Sequence, residues 1–167
     1  MRYSPLILLT LIALACRRDN PPADTTSAAR GLLPGMYSID DFSRLRWIEG
    51  RWRGNGPDGK NPFYEEYHFI NDSTIAKYAF PDSTFAKASD SSRVQLRGGL
   101  IRDEGLRASW QVTRLDSTGA DFAPDRGATN YFTWSPLSPT SWSATLRWTD
   151  KDGRPQTVEY VLHKFAR

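Results

Sequence analysis

Trp142-Ser143-Ala144-Thr145-Leu146-Arg147-Trp148 reads as a β-strand with one wet face and one dry face. Its even positions are Trp, Ala, Leu and Trp, and its odd positions are Ser, Thr and Arg. Side chains two apart share a face of a strand, so this alternation buries one side and leaves the other in water. The same period recurs along the chain. Phe132 and Trp134 share a face, as do Trp110 and Val112, while Val94 and Leu96 alternate with Arg93, Gln95 and Arg97. Residues 62–70 and 74–80 predict two further strands joined at Asn71-Asp72-Ser73, and a last strand is expected over 156–165. Asp150-Lys151-Asp152-Gly153 is a tight-turn sequence, with Gly free to take positive φ. Ser135-Pro136-Leu137-Ser138-Pro139 is expected to lie outside any central strand, because each Pro removes a donor. Short strands at regular spacing predict an all-β, antiparallel sheet closed on itself or folded as a sandwich. Ahead of them, Ser38 is a candidate N-cap, Asp40 and Asp41 fall in the first turn, and Phe42, Leu45 and Ile48 follow at helical spacing. A short helix is expected there, covering one end of the barrel.

Composition agrees with one β domain. The chain has 167 residues, enough for a single core, and aromatics make up 13% of it, a richness that suits flat rings packed on pleated surfaces. The net charge of +3 is spread along the sequence rather than gathered into a basic stripe, so nucleic acid is not expected as a partner.

Residues 1–15 form a signal-peptide pattern: Arg2, then an apolar run from Leu6 to Leu14 that is too short for an ordinary membrane-spanning helix, then small residues. Cys16 is the only cysteine, so no internal disulfide can form. Residues 16–33 carry Pro, Asp, Thr, Ser and Ala without apolar periodicity and read as a flexible tether. The domain is expected over 34–167.

Ala13-Leu14-Ala15-Cys16 resembles the bacterial lipobox, although Leu stands one place later than in its usual form. The resemblance implies that Cys16 is acylated and that the membrane is a partner through that lipid. Arg17, where an Asp resembles the inner-membrane retention signal, points to the outer membrane of a bacterial envelope. A second resemblance lies in Gly50-Arg51-Trp52, within Trp47-Ile48-Glu49-Gly50-Arg51-Trp52-Arg53-Gly54 and ahead of Tyr64-Glu65-Glu66-Tyr67-His68-Phe69. It is similar to the Gly-x-Trp signature that opens lipocalin-like (calycin-like) barrels, many of them bacterial domains of unknown function. The resemblance implies a lipocalin-like barrel of about eight to ten strands, with Gly50 and Trp52 closing its base. It also implies a basic residue over that Trp, for which Lys164 and Arg167 are the candidates. The same opening resembles nitrobindin, a haem-binding barrel with a His ligand on its last strand. The matching position is His163, although Val158, Tyr160 and Leu162 mark the other face of that strand as the apolar one.

No catalytic motif is present: there is no G-x-S-x-G, no phosphate loop and no H-E-x-x-H. With two histidines and one cysteine, no metal site and no other cofactor is expected, nor is enzyme activity. Glu65 and Glu66 fall on opposite faces, and Glu66 shares a face with His68, within reach of pairing. The informative set is aromatic. Trp110, Phe132, Trp134, Trp142 and Trp148 fall on apolar faces and are the candidate ligand-binding residues for a small hydrophobic molecule. The same rings could instead fill the barrel and leave an envelope interaction or scaffold protein.

Overall fold

The computed structural model describes residues 36–56 and 59–165. The expected signal peptide, Cys16, its tether and Arg167 lie outside the described residues. Helix α1 (Ile39–Ser43) runs on as a 3₁₀ turn, Arg44–Ile48. Ser38 starts it with a capping box: its Oγ accepts from the Asp41 N–H at 3.1 Å, and Asp41 Oδ2 accepts from the Ser38 N–H at 2.9 Å. Phe42, Leu45 and Ile48 are three apart, the repeat of a 3₁₀ helix, and all are fully buried.

Ten strands follow: β1 (Gly50–Gly54), β2 (Phe63–Asn71), β3 (Thr74–Phe80), β4 (Asp90–Arg97), β5 (Leu100–Glu104), β6 (Ser109–Asp116), β7 (Gly119–Pro124), β8 (Tyr131–Ser138), β9 (Ser141–Thr149) and β10 (Pro155–Lys164). Each pairs antiparallel with the next, and β1 pairs with β10 to close the barrel. The fold is therefore all-β and lipocalin-like in architecture, with one short N-terminal helix. The closing seam is brief, with Trp52 opposite Lys164, Arg53 opposite His163 and Gly54 opposite Leu162.

Pro136 departs from expectation, since it lies inside β8. Pairing between β7 and β8 has already ended at Trp134, and the register with β9 slips just after Pro136. A missing N–H is tolerated where the ladder is already interrupted.

The helix plugs one end, around Trp52. The Trp52 indole is 1% exposed and donates its Nε1–H to the Ile48 carbonyl at 2.6 Å. Lys164 is the basic residue over it, with Nζ 4.9 Å from the ring centroid and donating to the Glu49 carbonyl at 2.8 Å. Gly50 makes room for this. Its φ is +123°, and a Cβ there would stand 3.0 Å from Lys164 Cε. At the other end of β1, the Phe63 ring occupies the space that a Cβ on Gly54 would need. Outside the barrel, the 81–89 loop folds back on the wall. Phe85 packs there against Tyr64, Phe80 and Phe165, with the Arg51 guanidinium 4.7 Å above its ring.

Trp52→Ala is expected to destabilise the domain by about 3–5 kcal/mol. Trp52→Phe, which keeps a ring but loses the bond to Ile48, should cost less. Denaturant unfolding measures both, and a wild-type midpoint for Trp52→Ala would mean that the ring is not a plug.

Candidate functional site

Alternation and register decide what faces inward. Register places Lys77 opposite Ser92 and Val94 opposite Asp103, while the pairings of Val112 with Phe122 and of Phe122 with Phe132 continue the same inner face. A sheet of about eight strands encloses an interior that side chains just fill, and ten strands make a wider ring. The half of this barrel next to the helix is packed. Trp142 lies edge-on to Trp47, Trp52, Tyr67 and Trp134, with centroids 5.8–6.1 Å away. Its indole Nε1 is buried with no hydrogen-bond partner among the described residues.

Towards the opposite end the interior opens into a cavity of about 430 Å³, within the size range of small-molecule sites. Trp110, Phe132, Trp134 and Trp142 line it, so four of the five aromatic residues singled out from the sequence come together. Trp148 does not join them. It stands at the end of β9, 37% exposed, where the strand has reached the rim. Tyr67, Tyr160 and Phe63 complete the aromatic wall.

One wall is charged. Lys77 Nζ donates to Asp103 Oδ2 at 2.5 Å, and Ser92 Oγ donates to Asp103 Oδ1 at 3.0 Å. Tyr67 Oη donates to Glu65 Oε2 at 2.8 Å. Lys77 Nζ also stands 5.7 Å from the centroid of the Trp134 ring. A second cavity of about 400 Å³ lies against residues 105–108 and shares Lys77, Asp103 and Trp110 with the first. The Asp103 side chain is 1% exposed, while that of Lys77 keeps 24%, facing the two cavities it lines.

Burial pushes the Glu65 carboxyl above its usual range, an effect that the Lys77 ammonium only partly offsets. Burial, with Glu65 alongside, pushes the Tyr67 phenol far up, so it remains a donor. Burial alone would lower Lys77, but the carboxylates of Asp103 and Glu65 outweigh it and hold the ammonium charged. The sequence reading of Glu65 reached only its face. The signal for the cluster was present: Lys77 and Asp103 interrupt the inward positions set by Ile75 and Ile101 with charges of opposite sign.

Neither histidine enters the cavity. His163 is exposed on β10 between the cavity-lining Leu162 and the ring-covering Lys164, opposite Arg53. This places it on the outer face, away from the cavity, whereas the resemblance to nitrobindin implied a haem ligand. His68 is also exposed, with Nδ1 3.8 Å from Glu49 Oε1, and the carboxylate of Glu66 is taken by Arg51 Nε at 3.1 Å instead of by His68. Among the described residues no group of three His, Cys, Asp or Glu is placed to hold a metal.

No family model matches the chain, and no curated protein matches it. Among solved structures, it is similar to a protein of unknown function of the DUF3598 family from Nostoc punctiforme, with a TM-score of 0.47 and 13% identity over 79% of this chain. The chain spans 50% of that protein's length. It is also similar to a redesigned β-barrel, with a TM-score of 0.34 and 12% identity over 73% of this chain and 94% of that one.

Removing one partner of a buried ion pair strands the other charge, at about 3–5 kcal/mol. Because Lys77 keeps some exposure, Lys77→Met is expected at the lower end, about 3 kcal/mol. The double variant Lys77→Met, Asp103→Leu should recover most of that loss. Urea unfolding measures both, and equal losses in the two would show that the charges do not compensate one another.

Proposed function

We propose that this domain is a non-catalytic binder of a small hydrophobic or amphipathic molecule, held at a bacterial membrane by an acylated Cys16. The observation that carries the binding reading is the cavity of about 430 Å³ walled by Trp110, Phe132, Trp134 and Trp142. A barrel serving only as a scaffold has no use for an aromatic-walled opening of this size, where water rather than side chains meets the rings. Burying an apolar ligand there would contribute about 25 cal/mol per Å² before the costs of association. The charged wall supports binding over catalysis. Lys77 is held as an ammonium by its carboxylate neighbours, the opposite of what a nucleophilic amine needs. Membrane attachment rests on the lipobox-like residues 13–16, since several acyl chains, at about 0.8 kcal/mol per buried CH₂, hold a protein durably.

Ala144 lines the cavity from β9, and Ala144→Phe would place a ring in it and obstruct it. Wild-type protein is expected to enhance the fluorescence of N-phenylnaphthylamine, and Ala144→Phe to lose that enhancement while melting cooperatively. No enhancement by the wild type, together with no small molecule in native mass spectra of protein taken from its own membrane, would leave the scaffold reading in place. Separately, Cys16→Ser is expected to abolish labelling by a palmitate analogue and to release the protein from membranes. A mutant that still labels and sediments with membranes would overturn the anchor.

A further inference from the structure

We infer that the cavity selects a small organic cation, an amphipathic primary amine whose head meets Glu65 and whose body lies among the rings. This rests on the binding function proposed above and specifies its ligand class. Three ionisable side chains line the aromatic cavity besides the tyrosines: Glu65, Lys77 and Asp103. Two are acids and one is a base. Asp103 already has both oxygens engaged, by Lys77 and by Ser92. Glu65 has only the Tyr67 hydroxyl, on Oε2, and its Oε1 accepts no hydrogen bond among the described residues. The wall therefore carries one carboxylate more than it has ammonium groups, and Glu65 Oε1 is left open for a donor from a ligand.

An ammonium group would neutralise that excess and supply the missing donor. A carboxylate ligand could reach the spare donors of Lys77, but it would add a third negative charge beside Glu65 and Asp103, where a low dielectric magnifies repulsion. The rings act in the same direction. Ring faces carry negative quadrupole charge and attract cations, and Lys77 already stands over Trp134 in this wall.

The test uses the full chain and three probes of one chain length: decylamine, decanol and decanoate, each below its aggregation threshold. Binding is read from intrinsic Trp fluorescence and by calorimetry. Decylamine is expected to bind about tenfold or more tighter than either of the others, since desolvated cation–π contact and a charged hydrogen bond together exceed the 1.4 kcal/mol that tenfold represents. Glu65→Gln keeps the acceptor for Tyr67 and removes the charge. It should erase the preference for the amine over decanol. Decanoate or decanol binding as tightly as decylamine to the wild type would overturn the inference and leave the binding function standing. A Glu65→Gln protein that keeps the preference would overturn it equally. If none of the three binds and N-phenylnaphthylamine also fails, the binding function itself falls. The wild-type comparison needs no variant, so a Glu65→Gln chain that fails to fold does not shelter the idea.

Discussion

Everything inside this barrel depends on the seam between β1 and β10. The seam holds three residue pairs, the first of which is Trp52 with Lys164. Such a short ladder is reinforced from within. Trp52 reaches up the chain to the Ile48 carbonyl, and Lys164 reaches across to the Glu49 carbonyl while covering the Trp52 ring. The helical plug, the first strand and the last strand are thereby tied at one place. The plug is anchored because the seam closes, and the seam is dry because the plug covers it.

Closure fixes what the interior must contain. Near the plug it contains rings, each edge-to-face pair adding about 0.5–1.5 kcal/mol beyond its buried area. Further up it contains Lys77 and Asp103, and a buried ion pair of this kind adds little net stability over apolar residues of the same volume. Its structural effect is on register. A slip of one residue along β3 would carry Lys77 outside and bring Tyr78 inside, leaving Asp103 without its counter-charge. The charged wall thus adds to the penalty that exposing Ile75 already sets against such a slip.

The strands, the main turns and the capped helix were legible in the sequence because each is a local pattern, whereas the closing role of Trp52 was implied by the resemblance of Gly50-Arg51-Trp52. Alternation needs only neighbours two apart, and the Ser38–Asp41 box needs only three residues. Pro136 was misread because its acceptability depends on where β7 stops pairing, a property of another strand. Trp148 was grouped with the cavity because it shares a face with Trp142, but a strand of nine residues reaches the rim before its end. The charged wall was not legible as a unit. Glu65, Lys77 and Asp103 come from β2, β3 and β5, and only the stagger of three ladders brings them to one depth.

The meander has a further consequence for assembly. Nine of its ladders join strands adjacent in the chain, and only the seam brings together residues as far apart as Glu49 and Lys164, which are 115 positions apart. Loop-closure entropy grows with the logarithm of separation, so the seam costs about 2 kcal/mol more to form than a hairpin of ten residues. Hairpins then form early and ring closure comes last, by the same logic that makes distant pairings slow. Until that moment β1 and β10 are bare edges, open to the same strands of another molecule. Slow closure at high concentration therefore favours edge-to-edge association, which the closed seam prevents by leaving no strand edge bare.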